Sequence, residues 1–305
     1  MSTTTCMFPN LNEGRFFVSP ILGCFGACSY CYLEIRNFHI PRKNELTTSD
    51  FLSIAQQSED FCWGQNGTII SVGAWGDIFP PYNDELILHS VQFIKDLLSW
   101  GNPVQIMSKN AIDNSLIDDI CNNIRFPNQL LYSTTITTLN KWKKTEPGTS
   151  SPNARLNTCR LFKHAGIPTN VLIKPFIPNL AGKEIETIAN LLLEYQIDFC
   201  TVGIMYWSDE IEKKVSTNPS LKNIINPNAF SSINHLDCNG KLTLSSTSVH
   251  ELLKYVHYLR KRGIAAFLKS SCVNSNILHI INPSHYYINN NNYCIKCGNC
   301  NKQQD

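Results

Sequence analysis

Cys24-Phe25-Gly26-Ala27-Cys28-Ser29-Tyr30-Cys31 is the stretch on which the fold assignment of this chain depends. Its cysteines are spaced C-x3-C-x2-C in a glycine-containing loop that follows a β-rich segment. Three thiolates at this spacing can hold three corners of a cubic [4Fe-4S] cluster, which leaves one iron open to an external chelating ligand. A zinc site completed by a distant ligand and chance clustering are the alternatives, although zinc ligands usually come as paired C-x2-4-C units.

Outward from this loop, β-rich runs alternate with helical stretches as far as about residue 204. The predicted strands are residues 15–22, 68–73, 104–107, 130–136, 169–177 and 199–205. The predicted helices are residues 47–57, a helix capped by Asn83 or Asp84, and residues 114–122, 152–165 and 182–195. Strands and helices repeating in this order predict parallel strands with helical crossovers, in either a doubly wound sheet or a partial barrel.

Beyond Trp207 the periodic pattern weakens, apart from a helix over residues 247–263 and a last strand over residues 265–268. We therefore divide the chain into a core of residues 1–206 and a C-terminal, Cys-rich extension of residues 207–305.

The composition excludes several classes of protein. The chain has 305 residues, 43% of them hydrophobic, and a formal net charge of only +2, which argues against a strongly basic nucleic-acid-binding coat. No apolar run approaches the roughly 20 residues of a membrane span, and residues 1–12 lack the pattern of a secretory signal. We expect a soluble, cytoplasmic protein without membrane contact, in which clustered cysteines indicate metal chemistry rather than disulfides.

Several segments, in the expected order, resemble the radical SAM superfamily and within it the spore photoproduct lyase-like branch. They are residues 19–24 and 31–32, 76–81 with Glu85, 107–109, 133–138, 146–149 with Pro152, Arg155 and Leu156, and 166–180. The resemblance implies a partial (βα)6 TIM-type barrel. It also implies a [4Fe-4S] cluster on Cys24, Cys28 and Cys31, with S-adenosyl-L-methionine bound at the open iron.

The implied activity is reductive cleavage of S-adenosylmethionine, after which a 5′-deoxyadenosyl radical abstracts hydrogen from the substrate. Such an oxygen-sensitive enzyme needs a reductant such as ferredoxin or flavodoxin. Active sites of β/α barrels lie at the carboxyl ends of the strands. By resemblance, the segment containing Gly73, Ala74, Gly76 and Asp77 meets the methionine amino group, and its glycines permit close backbone approach.

Four further residues are candidates by the same resemblance. Lys109 would pair with a carboxylate, and Ser133 and Thr135 with ribose hydroxyls, whereas Tyr30 would shield the cluster and cover the adenine. Each has a structural alternative. Lys109 would then be a solvated surface charge, Ser133 and Thr135 would be present for their β-propensity, and the ring of Tyr30 would pack the loop. Cys62 is the catalytic candidate, because spore photoproduct lyases use a cysteine hydrogen donor in a comparable region; a buried structural thiol is the alternative.

A second cluster, Cys294, Cys297 and Cys300, has the spacing C-x2-C-x2-C, which begins the bacterial ferredoxin-type pattern. We take Cys272 as a fourth ligand, with Cys238, His279 and His285 as alternatives. An auxiliary [4Fe-4S] cluster, structural zinc and uncoordinated thiols all remain open at this point.

The substrate is not given by the fold or the cofactor, and a small molecule, a peptide and a nucleic acid are all candidates. The alternatives to a general radical SAM enzyme are a DNA- or RNA-lesion lyase and a non-catalytic iron–sulfur or zinc module. Basic residues cluster at Lys141, Lys143 and Lys144 beside Trp142, and at residues 260–262; such clusters are more often solvated helix faces than phosphate contacts.

Overall fold

The computed structural model describes residues 11–12, 15–33, 38–207, 209–222, 225, 231–236, 242–246 and 249–280. The strands are β1 (Leu11–Asn12), β2 (Arg15–Val18), β3 (Ile21–Leu22), β4 (Arg42–Lys43), β5 (Ile69–Val72), β6 (Val104–Met107), β7 (Leu130–Thr135), β8 (Thr169–Ile173), β9 (Phe199–Val202), β10 (Met205–Trp207), β11 (Ser231–Leu236), β12 (Leu242–Ser246) and β13 (Ala265–Phe267). The helices are α1 (Thr48–Gln57), α2 (Asp84–Ser99), α3 (Asn114–Cys121), α4 (Trp142–Thr145), α5 (Pro152–His164), α6 (Lys183–Glu194), α7 (Asp209–Ser216), α8 (Pro219–Lys222), α9 (Val249–Lys261) and α10 (Ser270–Leu278). A π-helical turn, Pro178–Gly182, precedes α6.

One sheet with the strand order β1-β2-β5-β6-β7-β8-β9-β13 organises the molecule. From β2 to β13 all neighbouring strands are parallel, whereas β1 is antiparallel to β2. The two edge strands of this described sheet, β1 and β13, do not pair with each other, so the barrel is open. The predicted partial β/α barrel is confirmed, with β13 as a seventh parallel strand.

The two faces of the sheet are covered by different elements. Strand β5 is buried on both faces and is apolar apart from Ser71. On the outer face, Tyr132 of β7 stacks on Phe162 of α5 with 4.2 Å between ring centroids. On the inner face, Leu131 of β7 packs with Phe267 and with Val273 of α10. Helix α10 therefore lies inside the open barrel.

A row of buried polar side chains crosses the inner face. Gln105 Nε2 and Asn170 Nδ2 both donate to Ser133 Oγ, at 3.0 Å and 3.3 Å. Thr201 Oγ1 donates to Asn170 Oδ1 at 3.2 Å, and Asn274 Nδ2 of α10 donates to Gln105 Oε1 at 2.9 Å. These bonds satisfy polar groups that would be costly to bury alone, and they join α10 to the centre of the sheet.

Most helix starts follow the sequence pattern. Thr47 and Asp50 form a capping box at the start of α1. Of the two cap candidates for α2, Asn83 is the cap, because its Oδ1 accepts from Leu86 N at 3.1 Å. The strand predicted over residues 15–22 is split at Pro20, which has no N–H to donate. The strand predicted over residues 199–205 leaves the main sheet after Val202, and Met205 pairs with Ser245 in a separate sheet of β10, β12 and β11.

The predicted division at residue 206 stays a prediction. Strand β13 pairs with β9, and α9 places Leu252, Val256 and Leu259 in the main core, so these elements share the core of the barrel. Among the described residues, none of the helices combines the length and apolar character needed to cross a membrane.

Candidate metal centre

The three cysteines of the N-terminal loop line one small cavity. Gly23, at the start of the loop, forms a parallel bridge with Gly76 beyond the carboxyl end of β5, which fixes the loop to that edge of the sheet. The residues that line the cavity are Cys24, Gly26, Ala27, Cys28, Cys31, Leu33, Phe38 and His39. The expected position of the loop, at the carboxyl ends of the strands, is where the structure places it.

A turn that precedes α5 forms the wall behind the cysteine loop. Gly148 N donates to Gly26 O at 3.1 Å, and Ser29 N donates to Thr145 O at 2.8 Å. A Cβ atom on Gly148 would lie 1.9 Å from the carbonyl oxygen of Phe25, so only glycine fits there. The two segments therefore touch through their backbones.

Two of the three thiols of this loop have a raised pKa. Burial raises the pKa of Cys24 to about 12, with a further contribution from the negative charge of Asp77. Burial raises the pKa of Cys28 to about 11, while the positive charge of Lys109 opposes the rise. The free thiols of Cys24 and Cys28 are thus protonated at neutral pH, and metal binding would release their protons, since metals bind the thiolate.

The donor set fits an iron–sulfur cluster. Three thiols surround a common cavity, and a Cβ on Gly26 would lie 3.1 Å from Cys24 Sγ and 3.4 Å from Cys28 Sγ, so glycine leaves room between them. Within the described ranges, no three His, Cys, Asp or Glu side chains are placed to hold a single metal ion. A cubic cluster does not require such convergence, because each thiolate binds a different iron.

Three polar side chains meet beside Cys28. Lys109 Nζ lies 3.4 Å from Cys28 Sγ, 3.0 Å from Tyr30 Oη and 3.5 Å from Glu146 Oε1. The Tyr30 hydroxyl also donates to the Glu146 carboxylate, and it lies 2.9 Å from Thr137 Oγ1. The structure thus brings together Lys109 and Tyr30, both predicted to bind the cofactor, next to a cluster cysteine.

Glu146 connects this group to α5. Its Oε2 lies 2.6 Å from Arg155 Nη1, and both side chains are fully buried. Burial would raise the pKa of Glu146, but the positive charges of Lys109 and Arg155 outweigh it and lower the pKa to about 2. Arg155 also donates to Thr135 O at 2.7 Å, so the ion pair ties α5 to the end of β7. The Glu146 carboxylate is therefore charged at neutral pH, and it contacts both Lys109 and Tyr30.

The segment between β5 and α2 is held by its own side chains. Asp77 accepts from Ser108 Oγ at 2.5 Å, Lys109 N at 2.8 Å and Phe79 N at 3.0 Å. Burial raises the pKa of Asp77, and these hydrogen bonds oppose the rise. The predicted ligand-binding residue Asp77 therefore joins the ends of β5 and β6.

The glycines of this segment bring its backbone close to neighbouring backbone, whereas their predicted role, close approach to a ligand, stays a prediction. Gly73 has a φ of +102°, and a Cβ on it would lie 2.7 Å from Met107 O. A Cβ on Gly76 would lie 2.4 Å from Gly23 O. The carbonyl oxygen of Ala74 accepts a hydrogen bond from the Tyr32 hydroxyl, which links the segment to the cysteine loop.

The two candidates on β7 differ in position. Ser133 is buried in the polar row, where its oxygen already accepts two amide donors. Thr135, at the end of the strand, is 8% exposed and nearer the edge that carries the cysteine loop. Thr135 is thus better placed than Ser133 to reach a bound ligand.

Cys62 is not brought together with the other candidates. It is exposed, and its carbonyl oxygen accepts from Thr68 N and from Asn102 Nδ2, just before β5 and β6 begin. It therefore lies at the amino ends of the strands, opposite the cysteine loop. This geometry does not support a role as hydrogen donor at the site, and an exposed thiol also departs from the expected buried one.

The second cysteine cluster lies outside the described residues. Of the candidates for its fourth ligand, Cys272 is described, half-buried on α10 and packed against the cluster of Leu131, Phe267 and Val273, and so is His279, directly after α10. The ligand set Cys294, Cys297, Cys300 and Cys272 stays a prediction.

The sequence analysis named Glu146 and Arg155 only as part of the segments that resemble the family, and it predicted no role for them in the site. A signal was present, because Arg155 lies on the apolar stripe of α5 with Cys159 and Phe162. A buried arginine on such a stripe requires an acidic partner. The cavity-lining residues Phe38 and His39 had no comparable signal, since they lie in an irregular segment.

No protein-family model matches the chain, and no curated protein matches its sequence. Solved structures do match. Spore photoproduct lyase complexed with dinucleoside spore photoproduct superposes with a TM-score of 0.66 at 16% identity, over 85% of this chain and 78% of that one. A spore photoproduct lyase mutant with bound AdoMet and dinucleoside spore photoproduct gives 0.66 at 15% identity, over 87% and 80%. Streptococcus suis SuiB bound to S-adenosylmethionine gives 0.52 at 13% identity, over 83% of this chain and 51% of that one. The chain therefore has the fold of spore photoproduct lyase, as the order of its motifs predicted.

Proposed function

We propose that the chain is a radical S-adenosylmethionine enzyme that acts on a substrate still to be identified. The observation that carries the proposal is the meeting of Cys24, Cys28 and Cys31 at one cavity on the carboxyl edge of a partial barrel. With cluster and cofactor bound, the chemistry supplied is one-electron cleavage of the carbon–sulfur bond, which gives methionine and a radical that takes hydrogen from the substrate.

The chain's own residues bind the cluster and orient the cofactor. The three thiolates hold the cluster, and the backbone contact of Gly148 with the loop keeps it in place. Lys109 is a cation 21% exposed beside Cys28, so it is accessible to a carboxylate of the bound cofactor. Glu146 holds Lys109 and Tyr30 in position from behind. Two solved structures of similar fold are described as containing S-adenosylmethionine, which supports binding of this cofactor by the chain.

The experiment is 5′-deoxyadenosine formation by anaerobically reconstituted, reduced protein supplied with S-adenosylmethionine. We expect slow product formation without substrate, and none from the Cys24→Ala, Cys28→Ala or Cys31→Ala variants. Cys62→Ala is the matched control, because its thiol lies at the opposite edge of the sheet and should leave product formation unchanged. Cleavage of S-adenosylmethionine by any of the three loop variants would refute the proposal.

The same assay separates the alternatives. A non-catalytic iron–sulfur or zinc module would bind metal without consuming the cofactor. A lesion lyase would respond to an oligonucleotide that contains a photoproduct by a changed rate of 5′-deoxyadenosine formation, and its nucleic-acid binding would weaken with salt. The position of Cys62 means that a lesion lyase of this sequence would need another hydrogen donor.

A further inference from the structure

Exposed lysines lie on the short helix α4, whose end is hydrogen-bonded to the cysteine loop. Lys141, Lys143 and Lys144 are exposed in and just before α4. The last residue of this helix, Thr145, accepts the backbone hydrogen bond from Ser29 within the loop, at 2.8 Å. The three positive charges therefore lie within one helical turn of the cysteine loop.

A fourth lysine extends the same surface. Helix α8 packs against α4 and ends in the exposed Lys222. Helix α7 is also tied to the site, because Lys214 Nζ donates to Cys28 O at 3.0 Å. We refer to Lys141, Lys143, Lys144 and Lys222 as the lysine surface.

The lysines of this surface are not held in ion pairs by the described carboxylates around them. Of the ion pairs formed between described residues, none includes its four lysines. Of the carboxylates nearby, Glu146 is fully buried and paired with Arg155 and Lys109, and Glu184 accepts from the backbone of Leu139 and Asn140, just before Lys141. Helix α7, which packs against α8, also carries acidic residues in its first turn. The surface thus presents four exposed ammonium groups that take part in none of the described ion pairs, bordered by the carboxylates of α6 and α7.

The cysteine loop is itself accessible beside this surface. Phe25 is 44% exposed and Ala27 is exposed, whereas Cys28 is buried directly beneath them. A protein that rests on the lysine surface would therefore also cover the outer side of the cluster-binding loop.

We propose that the lysine surface is the docking site of an acidic one-electron donor protein. The inference rests on the proposed function, which requires one external electron for each cleavage. On docking, one electron leaves the donor, which is oxidised by one equivalent, and enters the cluster, which is reduced by one; no atoms are transferred. The positive surface attracts the acidic donor and places it against the cysteine loop.

The composition of the surface favours a protein over a nucleic acid. Its charges are all lysines, which attract as point charges, whereas phosphate recognition at fixed geometry favours arginine. The chain as a whole has a net charge of only +2, which does not suit the many phosphate contacts of nucleic-acid binding. Electron-transfer partners use small, transient interfaces, and a patch of four lysines is of that kind.

The test compares two double variants of the full, cluster-reconstituted chain. Lys143→Glu/Lys144→Glu reverses charge on the lysine surface. Lys254→Glu/Lys261→Glu is the matched control, because it makes the same change in net charge at exposed positions of α9. Reduction of the cluster is followed by loss of its visible absorbance, with reduced flavodoxin as the acidic protein donor and photoreduced deazaflavin as a small donor.

At low salt, we expect Lys143→Glu/Lys144→Glu to slow reduction by flavodoxin about tenfold or more and to remove most of its salt dependence. The control variant should stay close to the wild-type rate, and deazaflavin should reduce all three proteins equally. An unchanged flavodoxin rate in Lys143→Glu/Lys144→Glu, or equal slowing in the control, would overturn the proposal. So would loss of salt-sensitive oligonucleotide binding with unchanged reduction, which would assign the surface to a nucleic acid.

The proposed function is judged separately, by 5′-deoxyadenosine formed after deazaflavin reduction. If all three proteins are reduced and none forms product, the enzyme proposal fails while the docking result stands on the flavodoxin rates. If product forms normally and only the flavodoxin rates are insensitive to the variants, the docking proposal alone fails.

Discussion

Replacing Glu146 by Gln is expected to destabilise the fold by about 3–5 kcal/mol, because it leaves a buried guanidinium without its counter-charge. Arg155 is fully buried and lies 2.6 Å from the Glu146 carboxylate. In the variant it would keep its hydrogen bonds to Ser150 O at 2.8 Å and Thr135 O at 2.7 Å. Those carbonyl acceptors satisfy its N–H groups but do not neutralise its charge.

The lowered pKa of Glu146 predicts a loss of folding stability of similar size in the variant. Burial raises the pKa, but Lys109 and Arg155 outweigh burial and lower it from 4.5 to about 2. This lowering corresponds to about 3 kcal/mol of folding free energy, present above the unfolded-state pKa of 4.5 and lost as pH falls through about 2. The stability difference between wild type and Glu146→Gln should therefore be largest above about pH 5 and shrink at lower pH.

Urea denaturation followed by circular dichroism, at several pH values and with cluster-free protein, measures this difference. Glu85→Gln is the matched control, since Glu85 and Lys43 form an ion pair of the same 2.6 Å length at the exposed surface, where little effect is expected. A loss below about 1 kcal/mol for Glu146→Gln at pH 7, or a loss independent of pH, would refute the reasoning.

Three further predictions follow from the site. Gly148→Ala should lower the iron content after reconstitution, because its Cβ would lie 1.9 Å from Phe25 O and displace the cysteine loop; full iron loading would contradict this. Cys62→Ser should leave both folding and 5′-deoxyadenosine formation unchanged, and a lost activity would restore its catalytic candidacy. Alanine at Cys294, Cys297 and Cys300 together should remove about four irons while the first cluster stays intact; loss of one zinc instead would reject an auxiliary cluster.

The elements of the barrel were predictable because local sequence specifies them. Residues 104–107 are apolar apart from Gln105 and include the β-branched Val104 and Ile106, and the strand has those bounds. Helix α5 begins at Pro152 and is followed by Gly166 at a φ of +80°, as N-terminal proline and C-terminal glycine predict. Strand ends were less predictable. The strand predicted over residues 169–177 ends at Ile173, because its continuation depends on whether neighbouring strands extend alongside it.

The position of the cysteine loop at the carboxyl edge of the sheet was predictable from its place after the first β-rich segment, but the residues behind the loop were not. Glu146 is far from Tyr30 and Lys109 in sequence, and no local pattern indicates that their side chains meet. Helix α10 and its bond from Asn274 to Gln105 were missed for the same reason, since they depend on contacts between distant segments. The polar row on the inner face was missed as well, because each strand contributes only one or two polar residues to it and the hydrogen bonds run between strands.

The hydrogen bond from Lys214 to Cys28 joins residues 186 positions apart, and that from Asn274 to Gln105 joins residues 169 apart. At ribosomal rates of about 5–20 residues per second, roughly 10–40 s separate the synthesis of Cys28 from that of Lys214. Over that interval the nascent cysteine loop lacks part of its surroundings, and its thiols are open to oxidation or to the wrong metal. Delivery of iron and sulfide is therefore expected to follow the synthesis of α7, when Lys214 can bond to the loop.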